Sequence, residues 1–231
     1  MLASAQWTLL IGTYTKSGVS RGIYQVPVHR ETLAFGTPTL AAACAEPSFL
    51  AFSRDRRMLI AVNELLEFDG QSAGSVTAFR HERRAGISTL TSVPPVRSSR
   101  GAAPCYVSID ASRRHALVAN YMGGNVSVLP IAADGSLGEA VQVIAHTGTG
   151  PNVQRQEAPH AHCIVFDQAQ RFVVSADLGG DRLYVSRYNA TLGKLEPAAT
   201  SEVRLAPGAG PRHVAFSPDG RTLYCANELD S

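Results

Sequence analysis

Three side chains in the second half of the chain form a set that suits acid–base chemistry: His162, Arg212 and Glu228. An imidazole titrates near neutral pH, a guanidinium is a permanent cation, and a carboxylate can accept or orient a proton. His160 precedes His162 by two residues, and His213 follows Arg212 directly. This combination is suited to the hydrolysis of an ester or lactone.

An internal repeat explains the spacing of these residues. The segment Pro211 to Glu228, PRHVAFSPDGRTLYCANE, recurs three times upstream without gaps, with copies that start at Pro47, Pro104 and Ala161. With the first residue of each copy as position zero, position ten is always arginine and position sixteen is Asn or Asp. The residues are Arg57, Arg114, Arg171 and Arg221, and Asn63, Asn120, Asp177 and Asn227. A period of about 50 residues with short strands predicts a propeller.

Each copy of the repeat predicts a β-hairpin. In the last copy, an apolar strand over Val214–Phe216 leads into the polar turn 217–220 and a second strand over Leu223–Ala226. Both strands are apolar at nearly every position, as expected of a sheet covered on both faces by neighbouring blades. Further strands are predicted between the hairpins, at Ser75–Arg80 with Leu90–Val93, Asn125–Leu129 with Ala140–Ile144, and Leu183–Tyr188 with Ala199–Val203. The fold class is therefore predicted as all-β, a β-propeller of four-stranded blades.

The two ends of the chain do not coincide with blade boundaries. The first strands, WTLLIGTYT, GIYQVPVH and TPTLAAAC, correspond to the second, third and fourth strands of a blade. The last repeat ends after the second strand of a fifth blade. We therefore expect about four and a half blades, with residues 1–231 forming a single β-propeller domain that is incomplete at its C-terminus.

The repeat also predicts where the site lies. Position one begins the first strand and position seventeen follows the second, so antiparallel pairing places both at the same end of each blade, around one mouth of the channel. These positions are Ser48, Cys105, His162 and Arg212, and Glu64, Tyr121, Leu178 and Glu228. We expect His162, Arg212 and Glu228 to be catalytic and His160, His213, Glu64 and Tyr121 to bind substrate. The repeated Asn, Asp and Arg residues are interpreted as structural.

Composition excludes several classes of protein. A formal net charge of +2 with interspersed signs argues against nucleic-acid binding, and the cluster Arg80-His81-Glu82-Arg83-Arg84 is interpreted as a solvated turn. Residues 1–12 lack a basic segment, and their apolar run is too short for a signal peptide or a membrane span. The four cysteines form no CxxC pair. We therefore expect a cytoplasmic protein that contacts neither nucleic acid nor membrane.

A metal site is an alternative reading of the histidines. His160 and His162 are two residues apart and could ligate zinc, but no cysteine or carboxylate lies at ligand spacing. We therefore expect no metal and no cofactor.

Six segments, in order, resemble a known family. They are Gly12-Thr13-Tyr14, Val62-Asn63-Glu64, Ala119-Asn120-Tyr121 with Gly123-Gly124, Gln156 to His162, Asp177-Leu178-Gly179-Gly180-Asp181, and Gly210-Pro211-Arg212-His213 with Asn227-Glu228-Leu229. Together they resemble the seven-bladed propeller lactonases, which comprise propeller-type 6-phosphogluconolactonases and their carboxy-muconate cyclase relatives. The resemblance implies seven blades in the complete protein and hydrolysis of 6-phospho-glucono-1,5-lactone to 6-phosphogluconate, a step of the pentose phosphate pathway. It also implies a metal-independent site containing His162, Arg212 and Glu228, with a further arginine beyond Ser231.

Alternatives remain open at this stage. A muconate-type lactonising cycloisomerase would use the same cations to bind carboxylates, and a non-enzymatic propeller would serve as an interaction module. Within the site, Arg212 could pair with Glu228 as a structural salt bridge, and Glu228 could orient His162 or replace it as the base. On the basis of the family resemblance, we expect a small-molecule sugar lactone as the ligand. The sequence does not indicate an oligomeric state.

Overall fold

A computed structural model describes residues 6–16, 18–84 and 86–230. The described residues form seventeen strands and no helix. The first eight strands are β1 Gln6–Ile11, β2 Gly22–His29, β3 Thr39–Ala43, β4 Leu50–Phe52, β5 Met58–Asn63, β6 Ser75–Arg84, β7 Ile87–Ser98 and β8 Pro104–Ile109. The others are β9 His115–Asn120, β10 Asn125–Pro130, β11 Gln142–Ala145, β12 Ala161–Phe166, β13 Phe172–Asp177, β14 Arg182–Asn189, β15 Lys194–Arg204, β16 Pro211–Phe216 and β17 Leu223–Asn227.

The strands form successive antiparallel sheets in which each strand pairs with the next in sequence. Three sheets have four strands, β4 to β7, β8 to β11 and β12 to β15, and we call them the second, third and fourth blades. Strands β1 to β3 form a three-stranded sheet, the first blade, and β16 and β17 pair as the fifth. The predicted all-β propeller of four-stranded blades is confirmed. That the three-stranded first blade begins with its second strand stays a prediction.

Apolar packing between neighbouring blades forms the core. Strands β5 and β9 are buried at every residue, which explains their continuous apolar sequences. One buried cluster lies at each interface, with the pairs Ile23 and Leu59, Ile60 and Val118, Leu117 and Ile164, and Val174 and Val214 as members. Each fully buried side chain of this size contributes about 1.5–3 kcal/mol. The blades therefore hold the first strands, which carry the site, in fixed positions.

Some predicted boundaries were wrong. The segment 80–84 is not a turn: it continues strand β6 to Arg84 and pairs with β7, and its arginines are exposed. On the paired strand β7, Ser88 and Leu90 are buried, so one face of the extended hairpin is covered, and the charged residues lie where the hairpin meets solvent. Strand β15 begins at Lys194 rather than at Ala199.

Candidate active site

β-Bulges at the start of three first strands direct side chains toward the mouth. In the third, fourth and fifth blades the first residue of the strand pairs with the position-sixteen residue, and the register then shifts by one residue. The residues skipped by the pairing are Cys105, His162 and Arg212. A bulge re-aims the extra side chain and is common beside active sites. The predicted site residues therefore occupy a distinct backbone feature that the repeat alone does not reveal.

Glu228 is bound by two arginines at the mouth. Arg212 Nε lies 2.8 Å from Oε2 of Glu228, and Arg155 Nη2 lies 2.5 Å from Oε1. Burial acts to raise the pKa of Glu228, but the hydrogen bond and charge of Arg155, together with the charge of Arg212, outweigh it and lower the pKa. Glu228 is therefore a fixed anion near neutral pH rather than a ready proton acceptor.

His162 is buried beside cationic neighbours. Its ring centroid lies 5.1 Å from that of His213 and 5.7 Å from that of Tyr121. Burial lowers the pKa of His162 to about 4, and the charges of Arg212 and His213 act in the same direction. Nδ1 is buried and has no hydrogen-bond partner in the described part of the chain. The imidazole is therefore neutral at pH 7, and Glu228 does not hold it through that nitrogen.

His160 is already engaged at both ring nitrogens. Nδ1 lies 3.0 Å from the carbonyl oxygen of Tyr121, and Nε2 lies 3.2 Å from Oε1 of Glu157. The ring also stacks on Tyr121, with centroids 4.4 Å apart. These contacts favour a structural role for His160 and place the Tyr121 ring between the two histidines, where it can contact a ligand.

The two remaining predicted binding residues, His213 and Glu64, contact aromatic side chains. His213 packs edge-on against Tyr106, with ring centroids 5.6 Å apart. Burial lowers the pKa of His213, and the charge of Arg212 acts in the same direction. Glu64 accepts a 3.0 Å hydrogen bond from the hydroxyl of Tyr14. Burial raises the pKa of the Cys105 thiol, and the charge of nearby Glu64 adds to the effect. The second, third and fifth blades thus contribute to one mouth.

Asp181 joins the loops that carry the two arginines. Oδ1 accepts hydrogen bonds from Nε2 of Gln156, at 2.7 Å, and from the backbone nitrogen of Gly210, at 2.8 Å. Oδ2 accepts one from the backbone nitrogen of Gly208, at 2.7 Å. Gln156 follows Arg155, and Gly210 precedes the strand of Arg212. Asp181 therefore helps to position both guanidinium groups by holding the loops that carry them.

Asp177 performs a similar task for the histidine strand. Oδ1 accepts hydrogen bonds from the backbone nitrogens of His160, at 3.0 Å, and Gly180, at 2.8 Å, while Oδ2 lies 2.8 Å from Nδ1 of His146. Asp177 is fully buried. These contacts hold the turn after β13 and the start of β12, which agrees with the structural interpretation of position sixteen.

Arg155 is the site residue that the sequence analysis missed. It lies between β11 and β12, outside the repeat, so the register of the repeat does not predict its position. The available signal was adjacency, because Arg155 directly precedes the segment Gln156 to His162 that carries the family resemblance.

Comparison with known proteins identifies the family of this chain. The family model described as "Lactonase, 7-bladed beta-propeller" matches residues 8–231 of this chain. The chain belongs to this lactonase family. It is 38% identical to the 6-phosphogluconolactonase of Bacillus subtilis over 221 residues, which is 96% of this chain and 59% of that relative.

Solved structures of propeller lactonase relatives have the same fold. A crystal structure from Bacteroides fragilis superposes with a TM-score of 0.87 at 33% identity and covers 99% of this chain and 63% of its own. The periplasmic gluconolactonase of Pseudomonas aeruginosa superposes with a TM-score of 0.85 at 33% identity. The match covers 97% of this chain and 62% of that protein. The chain thus spans about three-fifths of the length of these relatives.

The cellular location and the absence of a metal stay predictions for this chain. In residues 6–16, 18–84 and 86–230, no helix is long and apolar enough to cross a bilayer. One relative is described as periplasmic, so the cytoplasmic location is not established. No group of three or more His, Cys, Asp or Glu side chains within those same ranges is arranged to hold a metal ion.

A separate cleft of about 920 Å³ lies at the opposite end of the second and third blades. Its lining includes six arginines, Arg57, Arg80, Arg83, Arg84, Arg113 and Arg114. Among described residues, none of those predicted for the site lines this cleft. The repeated Arg57 and Arg114 therefore lie at the rim away from the mouth. We place the chemistry at the mouth, because the convergent histidine, carboxylate and guanidinium groups are there.

Proposed function

We propose that the full-length protein hydrolyses a sugar lactone, specifically 6-phospho-glucono-1,5-lactone, to 6-phosphogluconate. The observation that carries this proposal is the convergence of His162, Arg212 and Glu228 at one mouth of a lactonase-family propeller. The relative from Bacillus subtilis is named for this activity. The catalytic roles below, and the binding roles of His160, His213, Glu64 and Tyr121, belong to the proposal.

In this mechanism His162 acts as the general base. Its neutral ring accepts a proton from a water molecule as the water oxygen bonds to the lactone carbonyl carbon. Because Nδ1 is buried, Nε2 is the nitrogen that takes the proton. When the tetrahedral intermediate collapses, the carbonyl re-forms, the bond to the ring oxygen breaks, and the departing oxygen receives the proton from His162. General-base catalysis of about 10²–10⁴-fold is sufficient for a reactive ester of this kind.

Arg212 supplies electrostatic stabilisation. Glu228 binds only Nε of Arg212 among the contacts of the described residues, which leaves the two terminal amino groups of the guanidinium as donors. A fixed donor aimed at the developing oxyanion stabilises the transition state more than the ground state. The guanidinium also suits a phosphate. Glu228 holds Arg212 in place in both roles.

One observation favours a second candidate, the muconate-type cycloisomerase. Two guanidinium groups at the mouth already bind a carboxylate, that of Glu228, and the same donors would accept a substrate carboxylate.

A direct comparison of substrates tests both functions. The full-length protein is assayed with 6-phospho-glucono-1,5-lactone, glucono-1,5-lactone and a muconolactone, with the spontaneous reaction subtracted. We expect enzyme-dependent hydrolysis, fastest per enzyme for the phosphorylated lactone. Turnover of the muconolactone alone would support the cycloisomerase, and no turnover of any compound would contradict both.

A further inference from the structure

The two arginines on Glu228 face different parts of the mouth. Arg212 lies on the side of His162, close enough for its charge to act on that imidazole. Arg155 contacts the other carboxylate oxygen: Nη2 donates to Oε1 of Glu228 and also lies 3.3 Å from the hydroxyl of Tyr121, and its charge is not among those that act on His162. The carboxylate of Glu228 thus separates a guanidinium beside the base from a guanidinium farther from it.

Arg155 retains unused hydrogen-bond donors. Both of its side-chain contacts use Nη2, and within the described ranges Nε and Nη1 have no hydrogen-bond partner. Its side chain is 41% exposed, while that of Glu228 is 27% exposed. A guanidinium with free donors in a fork geometry matches the oxygens of a phosphate monoester.

The charges at this point do not cancel. Glu228 contributes one negative charge, whereas Arg155 and Arg212 contribute two positive charges, and the pKa of His162 keeps that ring neutral at pH 7. These groups together carry one net positive charge, and the nearby carboxylate of Glu157, on which the charge of Arg155 also acts, is engaged with Nε2 of His160. A dianionic phosphate is attracted to such a site more strongly than a neutral sugar.

The loop that carries Arg155 is fixed before any ligand binds. The backbone nitrogen of Gln156 donates to the carbonyl of Asn152 at 2.7 Å, which closes a turn around Arg155. The fully buried side chain of Gln156 donates to the carbonyl of Leu178, at 2.9 Å, and to Asp181. A donor held in place loses little conformational freedom on binding, which favours its use as an anchor for the substrate.

We propose that Arg155 binds the phosphate group of the substrate, whereas Arg212 acts on the lactone carbonyl. This assignment rests on the proposed lactonase function and divides between two arginines the roles that Arg212 alone would otherwise combine. It makes Arg155 a specificity-determining residue, whose loss should affect the phosphorylated substrate far more than its unphosphorylated analogue.

The test compares phosphorylated and unphosphorylated ligands in the full-length protein. Arg155→Met and Arg155→Lys are assayed with 6-phospho-glucono-1,5-lactone and with glucono-1,5-lactone. Arg221→Met, at an exposed arginine of the fifth-blade turn, is the matched control. Thermal unfolding is measured for each variant, and equilibrium binding of 6-phosphogluconate and of gluconate is measured by calorimetry.

We expect Arg155→Met to raise KM for the phosphorylated lactone roughly 10- to 100-fold, the loss of a charged hydrogen bond. Its kcat/KM for glucono-1,5-lactone should fall much less than that for the phosphorylated lactone, because Arg212 keeps its own contact with Glu228. Binding of 6-phosphogluconate should weaken by a similar factor, and Arg155→Lys should recover part of the loss. Arg221→Met should not change the binding of either ligand. An equal loss on both lactones, or no loss on either, would overturn the assignment.

The binding measurement separates this inference from the proposed function. If the wild-type protein hydrolyses neither lactone, the function fails, and the inference is then supported only by a selective loss of 6-phosphogluconate binding in Arg155→Met. If the wild-type protein is active but 6-phosphogluconate binds equally well to Arg155→Met, the inference fails and the function stands.

Discussion

Arg212 Nε lies 2.8 Å from Oε2 of Glu228, and this contact joins the first and second strands of the fifth blade at the mouth of the channel. It is an ion pair between partly exposed groups, so its contribution to the free energy of unfolding is small, about 0–1 kcal/mol. Its main consequence is geometric: the carboxylate fixes the direction in which the guanidinium points.

Replacement of Glu228 by glutamine tests that interpretation. Glu228→Gln keeps the shape of the side chain but removes the charge that holds both guanidiniums. We expect kcat to fall roughly tenfold, with no increase in KM because the arginines lose their internal anion. The fall in rate at low pH, which reports protonation of the general base, should remain as the acid limb of the pH–rate profile. If that limb disappears, Glu228 is the base and the role given to His162 is wrong.

The lowered pKa of His162 predicts a pH dependence with a definite sign. The ordinary pKa of histidine is about 6.5, whereas that of His162 in the folded chain is about 4. Between these values the unfolded state binds more protons, so stability rises with pH across this window and is lost as the pH falls from 6.5 to 4. We expect His162→Gln to reduce that loss by roughly 1–3 kcal/mol, measured by urea unfolding at pH 7 and pH 4.5. Equal pH dependence in both proteins would contradict the lowered pKa.

The same pKa places the acid limb of activity unusually low. The pH dependence of kcat/KM reports the base of the free enzyme, so its limb should fall nearer pH 4 than pH 6.5. The measurement is an initial-rate profile corrected for spontaneous lactone hydrolysis at every pH. A limb at pH 6 to 7 would show that another group, or a differently placed His162, accepts the proton.

Loss of Asp181 should affect stability and activity together. Asp181→Ala removes the acceptor for Gln156, Gly208 and Gly210, so buried donors are left unsatisfied. We expect the free energy of unfolding to fall by roughly 2–4 kcal/mol and KM to rise because the loops of Arg155 and Arg212 are released. The exposed Glu196→Ala on strand β15 is the control, with little change expected in either measurement.

The repeat predicted much of this fold because each blade buries its hairpin against the next. Apolar strands over Leu223–Ala226 and its equivalents are needed wherever a sheet is covered on both faces, so the pattern recurs along the chain. The same register predicted that His162, Arg212 and Glu228 share one end. These are local requirements repeated in every blade.

Contacts between loops were beyond the reach of the sequence pattern. Arg155 meets Glu228 across 73 positions of the chain, and neither a strand period nor a turn signal specifies that contact. The bulges at Cys105, His162 and Arg212 depend on pairing register rather than on residue type. The composition of the charged segment 80–84 predicts a turn, because exposed strands and turns have similar composition.

Gly179 lies where the chain has no room for a side chain. A Cβ atom there would overlap the carbonyl oxygen of Ala158 and lie 3.0 Å from the backbone nitrogen of His160. Gly179→Ala should therefore destabilise the protein by about 1–3 kcal/mol and displace the start of β12. Gly18→Ala, whose nearest neighbouring atom would be 4.0 Å away, should have little effect. Equal melting temperatures for the two variants would contradict this account of the turn.

The most direct test of the central claim is the hydrolysis of 6-phospho-glucono-1,5-lactone by the full-length protein and its variants His162→Gln and Arg212→Met. The melting temperatures are measured in parallel at pH 7. We predict that each variant loses roughly 10²-fold or more in turnover, while its melting temperature stays within a few degrees of wild type. Full activity in both variants, or loss of activity only through unfolding, would contradict the assignment of this mouth as a lactonase site.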